Sequence, residues 1–162
     1  MKRWDQRPFE IRNLFNPAFC GLVLFRALHG YEEENVHGLP FSLSLLVLPL
    51  CLHKGSREVI AGNPRSYLLK TTEKNQHMMV GFASRVTHML PYTFEGFGLL
   101  MERGCITIQD DGRIQTVPNK VRKTIKGTPE TISCQRVARI VGKEFARIAD
   151  QTTIYTTFGI RP

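Results

Sequence analysis

The chain has 162 residues, 42% of them hydrophobic, with four cysteines and a formal net charge of +8. That length suits a single compact domain, 1–162, with a real core, and the composition excludes a disordered or fibrous chain. The longest apolar run, 41–52, is broken by serine and proline and is too short for the ~20 helical residues that cross a bilayer; the charged start "MKRWDQRPFEIRN" lacks the apolar stretch of a signal peptide, so a cytoplasmic protein is expected.

Residues 1–15 read as a tail that covers the core. Trp4, Arg7 and Phe9 in it are residue types that dominate interfaces, and Arg7 is spaced to pair locally with Glu10. Asn16-Pro17 is a helix start, because asparagine caps an early N–H and proline lacks the N–H that the first turn leaves orphaned. Asn63-Pro64 and Thr128-Pro129 repeat the signature, which predicts helices over 17–29, 64–74 and 129–149. The first is apolar nearly all round, so it belongs in the centre of the fold or against a partner, with Asn16 and Phe19 as further interface candidates.

"LPFSLSLLVLPLCLH" (39–53) fits a buried helix or a strand, and Pro49 interrupts either one. Further helices are expected near 75–88 and 93–103. "GCITIQDDGRIQTV" (104–117) alternates apolar and polar residues about Asp110-Asp111-Gly112 and predicts a β-hairpin, with Ile108 opposite Ile114 and Ile106 opposite Thr116 on an inward face. Residues 118–128 read as an exposed basic loop, and "TTIYTTFGIRP" as a closing strand. The fold class is therefore α+β, mainly helical. A helix followed by a hairpin gives it a winged-helix-like unit between the N-terminal apolar helix and a C-terminal amphipathic one.

Charge is concentrated at one end. Residues 1–62 are net +1 and 63–112 are neutral, whereas 113–162 are net +7. On a helical wheel Val137, Ile140, Val141, Phe145 and Ile148 share a sector beside a stripe of Arg136, Arg139, Lys143 and Arg147. With Arg113, Lys120, Arg122, Lys123 and Lys126 these are nine bases against two acids over 113–147, which suits phosphate backbone, an acidic protein face, or merely solvent. Glu144 falls inside the apolar sector and is expected to reach Lys143, Arg147 or a partner.

Catalysis finds little to use. No P-loop, nucleophile elbow, zinc-protease or dinucleotide fingerprint occurs, and the cysteines and histidines lack ligand spacing, so no metal and no cofactor are expected. The cysteines read as buried free thiols, and Glu32, Glu33 and Glu34 as a solvated loop. The helix before the hairpin, "TFEGFGLLMERG", offers glutamates rather than base-reading side chains and is better suited to protein contact.

Trp4, Arg7, Pro8, Glu10, Asn13, Leu14 and the run Asn16-Pro17-Ala18-Phe19-Cys20 resemble the opening of the middle component of bacterial three-component ABC-ATPase systems. Leu39 to His53 is similar to a second block of that family; the Asp111-Gly112 hairpin and Gly159-Ile160-Arg161-Pro162 resemble its later parts. The resemblance implies an accessory subunit of conflict systems against phage or plasmids, of which the Lamassu type is an example. Its implied partners are a Rad50- or SMC-like ABC ATPase that senses foreign DNA, and an effector, often a nuclease. Double-stranded DNA, met directly or through the complex, is a further candidate. The competing expectation is a free winged-helix DNA binder, acting as an autoregulator.

Overall fold

The computed structural model describes residues 3–161, apart from the side chains of Trp4, Glu10 and Leu14. Behind a 3₁₀ turn (Trp4–Gln6) and a short helix α1 (Phe9–Leu14), the chain enters α2 (Pro17–Glu32). The Asn16 side chain accepts from the Ala18 N–H at 2.8 Å, the cap expected of Asn-Pro and worth about 1 kcal/mol. Cys20, Val23, Leu24, Ala27 and Leu28 of α2 are buried, and the helix runs through the centre of the molecule as its composition requires.

The 39–53 block resolves into a two-residue strand β1 (Leu39–Pro40) and two short helices, α3 (Phe41–Ser44) and α4 (Val47–Cys51). Pro49 is the third residue of α4, where the N–H has no partner within the helix, so the ring is accommodated. A helix the sequence reading lacks, α5 (Lys54–Gly62), follows. Asn63-Pro64 therefore closes a helix instead of opening one: Asn63 Nδ2 donates to the Val59 carbonyl at 2.9 Å, and α6 (Leu68–Lys74) starts four residues late. Its first N–H, Leu68, donates to the buried Glu144 carboxylate at 2.9 Å, a cap supplied from a distant helix.

The two helices expected over 75–88 and 93–103 are a 3₁₀ turn (Gln76–Met79) and one continuous helix, α7 (Phe82–Glu102), which carries Pro91 inside it. Proline deletes the bond to the Thr87 carbonyl, and Thr87 is exposed, so water can satisfy that oxygen. The hairpin of β2 (Ile106–Ile108) and β3 (Arg113–Thr116) has the expected register, Ile108 opposite Ile114 and Ile106 opposite Thr116, with Gly112 at φ +78° in the turn. Strand β1 adds a third, antiparallel member in the order β1-β3-β2. Ile106 and Ile114 are buried but Ile108 is 53% exposed, so the inward face ends one residue short of the turn.

Helix α8 (Pro129–Ile148) agrees with the reading, and Thr128 caps it. The closing segment is not a strand but α9 (Gln151–Thr157). Asp150 accepts from the Thr152 and Thr153 N–H groups at 3.2 and 3.1 Å, and Ile154 and Phe158 sit one turn apart on the buried side. A cap and one apolar stripe outweigh the β-branched composition.

Glycines decide how close the helices come. Gly21 of α2 faces Gly96 of α7, where an added Cβ would lie 3.1 Å from the opposite carbonyl oxygen. On the other side Gly30 lies against the Arg139 backbone of α8, and a Cβ on Gly142 would overlap the Ala27 carbonyl oxygen of α2. Gly142→Ala is expected to lower stability by about 3 kcal/mol or more, because backbone must move to admit it. Gly98→Ala, with open space around its site, is expected to gain about 0.5–1 kcal/mol. Urea titrations of both variants check this pair.

Candidate functional site

Three surfaces can meet a partner. The first is the N-terminal segment. The Arg7 guanidinium donates to both oxygens of Glu95 on α7, Nη1 to Oε2 at 2.7 Å, and the Arg7 side chain is only 8% exposed. Hydrogen bonding to Glu95 raises the Arg7 pKa further above its ordinary value. Phe15 stacks on Tyr92 with centroids 4.4 Å apart, so two contacts tie this segment to α7. The expected Arg7–Glu10 pair involves a side chain outside the described residues, as does the Trp4 anchor. Phe9 is 67% exposed. Asn16 is spent on capping, and Phe19 lines a cavity of about 310 Å³ with Phe15, Leu52, Arg57 and Cys134.

The second surface is apolar. Phe41 and Phe94 are exposed and lie 6.2 Å apart, and Phe41 also faces Phe97 at 6.0 Å. Met101, two turns beyond Phe94 on α7, is exposed as well.

The third is basic, and the structure divides its nine candidates. The α8 stripe meets the end of α2: Arg139 and Lys143 both bind Glu33, and Arg147 reaches Glu34 at 3.0 Å and Glu144 at 2.9 Å. Glu32–Glu34 are thus not a solvated loop. Glu32 accepts from the Thr116 N–H at 2.6 Å and holds β3, while Glu33 and Glu34 neutralise α8. Arg113 pairs with Asp111 at 3.5 Å and donates to the Gly38 carbonyl at 2.8 Å. Lys120, Arg122, Lys123, Lys126 and Arg136 are exposed, and among the described residues no carboxylate pairs with them.

Sequence reasoning missed two buried cations. Arg57 is 4% exposed; it donates to the Cys51 and Leu52 carbonyls at the end of α4 and to Glu130 at 2.8 Å. Arg26 is 5% exposed, its Nε donating to Gln135 Oε1 at 3.2 Å and Nη2 to the Arg122 carbonyl at 2.7 Å. The available signal was that Arg26 is the lone permanent charge before the last turn of an apolar helix. All four cysteines are free and buried; burial pushes the Cys20 thiol up to about 12 and raises Cys51 and Cys134. No group of three or more metal-ligating side chains occurs among the described residues. None of the described helices is long and apolar enough to cross a membrane.

The model of one family, ABC-three component (ABC-3C) system Middle Component 3, matches residues 4–162. The chain belongs to that family. No curated protein and no solved structure matches it. As a middle component it is part of a multi-component ABC-ATPase system.

In this ABC-3C middle component, Glu33 gives the basic surface a pH signature. Hydrogen bonds first from Arg139 and then from Lys143 pull its pKa from the ordinary 4.5 to about 2. The folded value lies below the unfolded one, so the stabilisation is complete above pH 4.5 and is lost as pH falls through 2. With the side chain 23% exposed, we expect it to be worth about 1–3 kcal/mol. Glu33→Gln should remove this component, flattening the stability profile between pH 5 and 2; denaturant midpoints measured across that range check it.

Proposed function

We propose that this middle component is a non-catalytic, cytoplasmic adaptor of a bacterial defence complex of the Lamassu type, directed against phage or plasmids. It links an SMC- or Rad50-like ABC ATPase that senses foreign DNA to a nuclease-type effector. Family membership over 4–162 is the observation that carries the reading. The surface supports it: the N-terminal anchors and the exposed Phe41–Phe94 pair flank α7, where an obligate subunit can keep apolar side chains for a partner to cover.

A second reading is a free winged-helix DNA binder. The sheet order β1-β3-β2 behind α7 favours it. Against it, the exposed positions of α7 beyond Pro91, in the half next to the hairpin, are Phe94, Gly98, Met101 and Glu102, none of which donates a hydrogen bond to a base edge in a major groove.

The test is co-purification from the native operon with a tag on this chain alone, followed by mass determination. A stable assembly containing a long coiled-coil ATPase is expected. The lone chain, retaining DNA through a salt wash, would instead establish the second reading. Phe9→Asp with Phe94→Asp is expected to break the assembly while changing stability by no more than about 1 kcal/mol, since both rings are mostly exposed. An intact assembly in that variant would remove these anchors from the interface.

A further inference from the structure

We infer that the cleft between α2 and the 118–127 loop is a phosphate-binding site, held by Arg26, Arg122 and Lys126. This stands independently of the adaptor reading.

The first observation is the distribution of unneutralised charge. Of the nine basic candidates over 113–147, once Arg113 is discounted against Asp111 and the α8 stripe against Glu33, Glu34 and Glu144, those that no carboxylate pairs with among the described residues are Arg136 and four crowded into residues 120–126. The loop that carries those four is fixed in place. Val121 packs on the core, the Arg122 carbonyl accepts from Arg26, and Asn119 and Gly127 turn the chain at φ 63° and 146°. Cations on a fixed backbone lose less entropy when they bind a ligand.

The second observation is Arg26 itself. A guanidinium buried in an apolar helix is costly unless an anion lies beside it. Here its hydrogen-bond partners are a neutral amide and a carbonyl, and among the described residues no carboxylate reaches it. Burial lowers its pKa, the direction that an adjacent anion would reverse. A side chain needed only for packing would not carry this charge.

The cleft supplies the place for that anion. It holds about 270 Å³, roughly nine waters' worth, and is bordered by Arg26, Val121, Arg122, Thr124, Lys126 and Gln135. Three cations, a hydroxyl and an amide face it, and no acid does. The larger neighbouring cleft, about 490 Å³, also borders Arg26 but contains Glu32 and Glu33, which disfavour an anion there. Arginine forks match phosphate oxygens two at a time, which distinguishes this site from a diffuse basic face.

The phosphate can belong to a nucleic-acid backbone or to a free nucleotide, and one experiment separates them. Thermal unfolding of the full chain is followed in sodium pyrophosphate and in sodium chloride of equal ionic strength. Arg122→Glu/Lys126→Glu is compared with Arg136→Glu/Lys74→Glu, a control with the same change of net charge on exposed residues elsewhere. Pyrophosphate is expected to raise the wild-type midpoint beyond the chloride value. The cleft variant should lose at least tenfold in affinity and the control less than twofold. Arg26→Gln should match the cleft variant; if it does not fold, the surface pair still decides. Competition by a 20-base-pair duplex would assign the site to backbone phosphate, and competition by ATP alone to a nucleotide. No pyrophosphate shift in the wild type, or equal losses in cleft variant and control, would overturn the proposal. Co-purification of the same variants with their operon neighbours is scored separately, so failure of the phosphate site and failure of the adaptor reading give different results.

Discussion

Helix α2 can be central only because it presents glycine where its two large neighbours cross it. Gly21 and Gly30 are nine residues apart, which at about 100° per residue puts them on opposite sides of the helix. One receives Gly96 of α7 and the other the Arg139 backbone of α8, one turn before Gly142, which itself lies against Ala27. Backbone against backbone brings the three helices close, and the aliphatic side chains between these crossings are buried in the core. The N-terminal clamp, the sheet and the charged surface are all hung from this three-helix core. Arg7 and Phe15 bind to α7, β3 is held by Glu32 at the end of α2, and the basic loop is bonded to Arg26 in its middle.

Charge follows the same geometry. The acids that end α2 emerge beside the basic stripe of α8 because the two helices cross at Gly30 and Gly142, and a +7 segment is thereby neutralised in part from within the chain. What remains unpaired is confined mostly to one loop. A net charge summed over a segment therefore overstates the surface field, since it counts bases whose acids lie about a hundred residues away.

Local signals in the sequence were read well and distant ones were not. Asn16-Pro17 and Thr128-Pro129 located α2 and α8, and the Asp-Gly turn fixed the hairpin register. Asn63-Pro64 misled because asparagine serves equally at the end of a helix, and nothing near residue 68 reveals that its N–H is capped from Glu144. The last segment was misread because threonine and isoleucine weigh towards strand, whereas Asp150 and an Ile154–Phe158 stripe need only one buried side. Of the candidate site residues, Arg139, Lys143 and Arg147 were rightly placed on one stripe, but their acids are a tertiary fact. The Arg7–Glu95 pair spans 88 residues and has no sequence signature at all.

The two faces of α2 end up with different chemistry. The α7 side gathers the N-terminal clamp and the exposed aromatic pair of Phe41 and Phe94. The α8 side gathers the ion-pair network and the basic loop that precedes it. An apolar surface holds a protein partner by excluding water, and its strength barely depends on salt; a basic cleft binds anions and weakens as salt rises. A subunit with one of each can hold two ligands of unlike character without competition between them, and the close backbone crossings keep the two surfaces on opposite sides of α2. The separation of the two surfaces follows from where the glycines of α2, α7 and α8 stand.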